Sequence, residues 1–385
     1  MSTNLEGQCD PAFQRVRDVF AELLARREVG AAVSVYANGR PVVDLWGGLA
    51  DRKRARPWER NTLANVYSTT KGMTALCAHR LADRGELDLD APVARYWPEF
   101  AAAGKESIPV RFLLNHQAGL PAVRPLLPGE ALYDWTAMTA ALAAEAPWWP
   151  PGSAHGYHAL TFGWLVGEVV RRISGKSLGR FFREEIAEPL ELDFHIGLSA
   201  EDDGRCAVLS SVDEGEGADT VVAAAMADPA GIVARAFANP PSLVEASRAR
   251  TREWRAAEIP AANGHGTARA LARAYGMLGF EVNGYRLLSN QQLERCAAVE
   301  SDGPDRVLGV RTRFGLGFMM SQPDEPRGRI GPNPRAFGHP GAGGSIAFAD
   351  PDVRVGFGYV INGMDRSILT SPRAALLIDA VYESI

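Results

Sequence analysis

Residues 63–81 read LANVYSTTKGMTALCAHRL. Leu63 to Tyr67 suits a short extended run, while Met73, Leu76, Cys77 and Leu81 recur at helical spacing. Ser68-Thr69-Thr70-Lys71 therefore stands at a strand-to-helix junction and opens the helix. Residues three apart on a helix share a face, so Ser68 and Lys71 are neighbours. The positive end of the helix dipole favours negative charge developing on Ser68. A serine hydroxyl becomes an effective nucleophile when a base takes its proton. A lysine is that base only if its pKa falls from about 10.4 toward neutrality. The same residues also suit a capping serine followed by a solvated lysine. Composition bears on the choice: of 41 Lys and Arg residues only Lys53, Lys71, Lys105 and Lys176 are lysine. A chain that uses arginine for plain positive charge has reason to keep lysine where a proton must be lost.

Two further stretches carry chemistry. Pro150 to Ala159 reads PPGSAHGYHA, and Tyr157 lies in it just before a long amphipathic pattern. A phenol close to a lysinium ionises and relays protons; away from one, a loop tyrosine is a packing residue. Gly338 to Ser345 reads GHPGAGGS and leads into the strand Ile346 to Ala349. Its glycines let backbone N–H groups approach a ligand. A phosphate loop would feed a helix, so a bend in a strand that forms an oxyanion hole fits better.

Outward from these motifs, Phe13 to Arg27 reads as an amphipathic helix through Val16, Val19, Phe20, Leu23 and Leu24. Ala31 to Tyr36, an Asn38-Gly39 turn and Pro41 to Trp46 read as a hairpin. Gly344 to Ala349 and Arg354 to Ile361 read as strands, and Pro372 to Tyr382 as a closing helix. Strands at both ends imply one sheet built from both termini. Helices are expected over Phe162 to Ile173, over Leu178 to Ile186 with a stop at Pro189, and over Leu271 to Phe280. Ser199 to Pro260 is rich in Ala, Gly, Asp, Glu and Pro with weak periodicity; it reads as an insertion that is either a lid or a surface loop.

The 385 residues carry a formal net charge of -5 and 46% hydrophobic residues, an ordinary globular composition. No basic stripe points to nucleic acid, and no apolar run reaches the roughly 20 residues of a membrane span. Met1 to Pro11 lacks a basic and then apolar leader, so a cytoplasmic location is expected. Cys9, Cys77, Cys206 and Cys296 lie far apart, which favours neither a disulfide framework nor a metal cluster. No cofactor is expected, and oligomeric state is left open.

Taken in order, the three motifs resemble those of the serine β-lactamase and penicillin-binding-protein superfamily, and more narrowly the class C β-lactamase-related esterases called family VIII carboxylesterases. The resemblance covers nearly the whole chain, including 108–121 (IPVRFLLNHQAGLP) and 261–276 (AANGHGTARALARAYG). It implies an α+β, β-lactamase/transpeptidase-like fold. Residues 1–60 and 265–385 would form an antiparallel sheet flanked by helices, and 61–264 a mainly helical subdomain that includes the 199–260 insertion. Ser68 would lie in the cleft between them. It further implies Ser68 as the acylated nucleophile, Lys71 as general base and Tyr157 as proton shuttle. The oxyanion hole would be the N–H groups of Ser68 and Ala342. His339 and Gly341 would contact substrate, with Trp135 and Trp149 in the wall of an acyl pocket or, equally, in simple core packing.

Two departures narrow the chemistry. The second motif is Y-x-N in β-lactamases but Tyr157-His158-Ala159 here, and the third is K-T-G there but His339-Pro340-Gly341 here. A neutral histidine does not pair with a substrate carboxylate as lysine does, whereas ester cleavage survives both changes. The implied partner is a small-molecule ester. Acyl transfer by the same intermediate, weak β-lactamase or D-amino-acid peptidase activity and a non-catalytic sensor are the alternatives. A Ser-His-Asp triad would need His116, His155, His158 or His265 at Ser68, and no G-x-S-x-G elbow is present.

Overall fold

The two ends of the chain pair in one sheet. In the computed structural model, which describes residues 4–212, 218–241 and 247–385, Gly30–Ala37 and Arg40–Asp51 form the N-terminal hairpin. Asn38 (φ 51°) and Gly39 (φ 74°) both take the left-handed region, as the turn best matched to strand twist requires. Gly30–Ala37 pairs antiparallel with Val355–Ile361, placing Val33 opposite Tyr359 and Val35 opposite Phe357. The resulting ten-stranded sheet runs in the order Leu5–Cys9, Arg40–Asp51, Gly30–Ala37, Val355–Ile361, Ile346–Asp350, Phe337–Pro340, Met319–Met320, Arg311–Phe314, Ser301–Pro304, with Arg56–Pro57 beside Arg40–Asp51. Both expected C-terminal strands are present.

Helices cover the sheet on both faces. Gln14–Arg26 buries Val16, Val19, Phe20, Leu23 and Leu24, and packs with Pro372–Tyr382, which buries Leu377, Ile378 and Val381. The opposite face receives Ala268–Gly276, capped by Thr267 Oγ1 accepting from the Ala270 N–H at 3.1 Å. This helix, expected over Leu271 to Phe280, starts at the threonine cap and ends where Gly276 meets Gly356. Glycine is required there: a Cβ on Gly356 would lie 2.2 Å from Gly276 N, and one on Gly358 would lie 2.3 Å from Ala268 O.

The middle of the chain is helical, around Thr70–Asp83 and Thr161–Ser174. Gly175 (φ 69°) ends the second in a left-handed C-cap. Leu178–Phe182 runs into a widened turn, Arg183–Ala187, before Pro189. The 199–260 stretch is not irregular throughout. Its described residues form short helical pieces at Ala200–Arg205, Ala218–Ala227, Ile232–Ala238 and Arg252–Ala256. Residues 213–217 and 242–246, like Met1 to Thr3, lie outside the described residues. The periodicity is weak because Val222 and Met226 of Ala218–Ala227 are exposed, so no apolar stripe marks an inner face. Among the described residues no single helix is long and apolar enough to cross a membrane; Thr220–Ala227 and Ile232–Ala238 pass that test only as a pair, bent by 115°.

The contact between Ala268–Gly276 and the central strand gives a stability test. Gly358→Ala drives a methyl into a backbone carbonyl with no flexible side chain to yield, so it costs about 1–3 kcal/mol. The measurement is the shift in urea midpoint; an unchanged midpoint contradicts the close approach.

Candidate active site

Ser68 does not follow a straight extended run. Only Ala64–Asn65 is strand, and Tyr67 turns into the left-handed region with φ 44°, a strained conformation of the kind found at functional sites. A single tight turn, Tyr67–Thr69, then feeds Thr70–Asp83. Thr70 Oγ1 locks the bend by donating to Tyr67 O at 2.5 Å and accepting from the Gly264 N–H at 2.9 Å.

Lys71 is fully buried. Its Nζ lies 2.7 Å from Ala159 O, 3.0 Å from Ala261 O and 3.1 Å from Ser68 Oγ. Burial holds this amine well below the usual lysine range. A neutral amine has two hydrogens and one lone pair. The two carbonyls, which only accept, take both hydrogens, and the lone pair is left for the Ser68 O–H. The asparagine absent from the second motif is thus replaced in part by the backbone carbonyl of Ala159.

Tyr157 is also buried, and its O–H donates to Ser68 Oγ at 2.7 Å. Burial raises the phenol well above its ordinary value; the hydrogen bond to Ser68 opposes the rise and the Asp305 carboxylate adds to it. Burial thus disfavours the phenolate of Tyr157 and the ammonium of Lys71 alike.

The loop carrying Tyr157 is laced to the 116–120 segment. His116 O accepts from the Gly156 N–H at 3.2 Å, His116 Nδ1 from the His158 N–H at 3.1 Å, and His158 Nε2 from the Leu120 N–H at 3.1 Å. Asp305, which sequence reasoning missed, holds the other side. Its Oδ1 accepts from the N–H groups of Tyr157, Val307 and Leu308 at 3.0, 2.8 and 2.9 Å, and Oδ2 accepts from Thr312 Oγ1 at 3.1 Å. In DGPDRV it has the look of a surface-turn residue, and no sequence signal distinguishes it.

The glycine loop closes the site. A Cβ on Gly341 would lie 2.1 Å from Val66 O, so glycine is what lets this loop touch the turn that bears Ser68. Gly341 N–H donates to Ser345 O at 2.6 Å and Gly343 N–H to Ser367 O at 2.9 Å. Between them the Ala342 N–H has no partner among the described residues. His339 is buried with Nδ1 2.6 Å from Pro340 O. A carbonyl only accepts, so Nδ1 carries the hydrogen and Nε2, which has no partner, is a bare acceptor. Burial lowers this ring to about 3, with Lys71 adding to the fall and the Pro340 bond opposing it. Its centroid is 5.8 Å from that of Tyr157.

The remaining expectations separate. No histidine reaches Ser68 Oγ, whose partners are Lys71 and Tyr157. His155 bonds Thr312 Oγ1, and His265 bonds Asn263 O. Trp149 stands behind the tyrosine loop, donating to Ala154 O at 2.9 Å. Trp135 is elsewhere: it donates to Glu168 Oε2 at 2.7 Å and lines a different cleft with Tyr133, Arg171 and Glu258. The assembled group contains a hydroxyl between an amine and a phenol, the side-chain set that activation of a serine nucleophile requires.

Comparisons with known proteins agree with this geometry. The sequence matches the Beta-lactamase family over residues 16–380. It is 39% identical over 378 residues to the esterase/beta-lactamase LipL of Mycobacterium tuberculosis, covering 96% of this chain and 86% of that protein. A family VIII carboxylesterase crystal structure superposes with TM-score 0.91 at 44% identity, covering 99% of this chain and 100% of the other. A penicillin-binding-protein homologue from Caulobacter crescentus gives 0.89 at 41% identity, with both chains fully covered. With Ser68, Lys71 and Tyr157 in mutual contact and these matches across its length, the chain belongs to the beta-lactamase family of serine hydrolases.

Proposed function

We propose that the protein hydrolyses small to medium acyl esters through an acyl-Ser68 intermediate. The observation that carries this reading is the pair of contacts on Ser68 Oγ, Lys71 Nζ at 3.1 Å and Tyr157 Oη at 2.7 Å. Lys71 takes the Ser68 proton on its lone pair as Oγ attacks the ester carbon. The carbonyl oxygen becomes an oxyanion facing the N–H groups of Ser68 and Ala342, a contact worth most when the donors are fixed beforehand. Collapse breaks the bond to the alkoxide, which takes the Tyr157 proton, and the Lys71 ammonium returns its proton to the phenolate. Water then attacks the acyl-enzyme by the same proton path and releases the acid.

Ester substrates are favoured over β-lactams because the third-motif residue, His339, is neutral and presents only an acceptor. A substrate carboxylate gains nothing from it. The carboxylesterase title of the family VIII structure supports the same substrate class, whereas LipL is named both esterase and beta-lactamase.

Wild-type protein is expected to turn over p-nitrophenyl acetate and butyrate, with little cleavage of nitrocefin. Ser68→Ala should remove ester turnover while leaving the folded circular-dichroism spectrum. Nitrocefin cleaved faster than the esters would overturn the substrate class, and turnover by Ser68→Ala would overturn the nucleophile.

The pH profile tests the proton roles. Attack needs neutral Lys71, so kcat/KM should rise with pH through one deprotonation whose midpoint lies below the usual lysine range, and fall as pH drops through it. Tyr157→Phe should keep that acid limb and lower the plateau by about 10²–10⁴-fold. Loss of the limb in Tyr157→Phe would assign the titration to the tyrosine.

A further inference from the structure

The peptide unit that carries the Ala342 N–H also carries Gly341 C=O, and the unit is planar. Gly341 O accepts from the Gly344 N–H at 3.1 Å, so Gly344 fixes the direction in which the Ala342 N–H points. What fixes Gly343 and Gly344 is a group of charges outside the set around Ser68. Arg373, in the first turn of Pro372–Tyr382, lies with Glu28 and Asp365, their side chains 1%, 0% and 1% exposed. Arg373 Nη1 donates to Glu28 Oε2 at 2.7 Å, and Nε and Nη2 donate to Asp365 Oδ2 at 3.2 and 3.0 Å. Nη2 also donates to Gly363 O at 2.8 Å and to Gly343 O at 3.2 Å. The Asp365 N–H donates to the same Gly343 O at 3.1 Å. Asp365 Oδ1 accepts from the Ser367 N–H at 2.8 Å, and Ser367 O accepts from the Gly343 N–H at 2.9 Å. Both backbone groups of Gly343 are therefore held by Arg373 and Asp365 or by the turn that Asp365 organises. A Cβ on Gly344 would lie 3.4 Å from Arg373 Nη2 and 3.5 Å from Asp365 Oδ2, so the loop rests directly on the pair.

Buried charges are a poor way to gain stability, since apolar residues of the same volume often serve as well or better. Arginine does offer five donors in a rigid planar fork, and here the fork reaches two carboxylates and two loop carbonyls at once. We propose that Arg373, acting through Asp365 and Gly343, is a positioning residue for the oxyanion loop, setting the orientation of the Ala342 N–H for the transition state. This rests on the reading of that N–H as an oxyanion donor.

The test compares full-length wild type with Arg373→Lys, Asp365→Asn and Glu168→Gln. Glu168 is a buried carboxylate paired with the partly exposed Arg171 and Arg172 on the helix Thr161–Ser174, so it controls for loss of a buried carboxylate's ion pairs outside the loop. The readouts are Tm, kcat and KM on p-nitrophenyl butyrate, and the inhibition constant of phenylboronic acid, whose tetrahedral adduct on Ser68 places an oxygen in the hole. Arg373→Lys and Asp365→Asn are expected to lower kcat by about 10–100-fold, to leave KM within about threefold, and to weaken the boronate by a factor similar to the kcat loss. Glu168→Gln is expected to lower Tm and leave kcat and the boronate unchanged. If Arg373→Lys does not fold, Asp365→Asn decides, because its amide oxygen still serves the Ser367 N–H. Folded variants with wild-type kcat and boronate affinity, a loss confined to KM, or an equal kcat loss in Glu168→Gln would overturn the proposal. A wild type without ester turnover would overturn the ester reading instead, and the boronate comparison would still read the clamp.

Discussion

The site depends on the Lys71 amine, buried with no carboxylate at its Nζ among the described residues. Lys71 touches two carbonyls, a hydroxyl and the face of the Tyr157 ring, 4.7 Å from its centroid. In such surroundings a cation is poorly solvated, which holds the amine well below the usual lysine range. Lys105 is an instructive contrast. It is buried as completely, but its Nζ contacts three carbonyls, Ala102 O at 2.8 Å, Ala143 O at 2.9 Å and Glu145 O at 2.5 Å. Three acceptors use three hydrogens, which suits an ammonium. Burial lowers both amines, and the contact that sets Lys71 apart is the Ser68 hydroxyl in place of a third carbonyl.

This requirement explains why distant segments converge. The carbonyls that hold Lys71 come from residues 159 and 261, the phenol from residue 157, and the free N–H from residue 342. The helix Thr161–Ser174 and the strand Phe337–Pro340 bring their ends to the N-terminus of Thr70–Asp83. Glycines at positions 264, 341 and 343 have neighbours inside 3 Å of any Cβ. Side chains there would separate the pieces and leave the lysine with water for company.

The sequence spoke clearly where chemistry needs a particular side chain. That Ser68, Lys71 and Tyr157 meet was legible because a serine, a lysine and a phenol placed together have few substitutes, and the hairpin and both terminal helices were legible from periodicity. The scarcity of lysine singled out Lys53, Lys105 and Lys176 together with Lys71, and of these only Lys71 and Lys105 are buried. The carbonyls of Ala159 and Ala261 were illegible, since any residue supplies a backbone oxygen. Asp305 and Asp365 resemble loop acids, and Arg373 meets Glu28 across 345 positions; such pairings exist only in the folded chain. Trp135 misled because an indole serves a core and a pocket wall equally, and here its N–H is committed to Glu168.

Four histidines lie close to this centre, and each is held neutral or pushed that way by burial. His116 and His155 are lowered, and His158 and His339 fall to about 3. None of them adds a positive charge to the pocket near neutral pH, nor does any carboxylate touch Lys71 Nζ. The charge that the tyrosine loop brings to this group is the Asp305 carboxylate, which accepts from the Tyr157 N–H at 3.0 Å. On the proposed mechanism, moving the Ser68 proton to Lys71 would create an ammonium and an oxyanion together in a low-dielectric space, where their attraction and fixed N–H dipoles count for far more than in water. Burial would then both disfavour the resting cation and strengthen the field on the charges formed during attack.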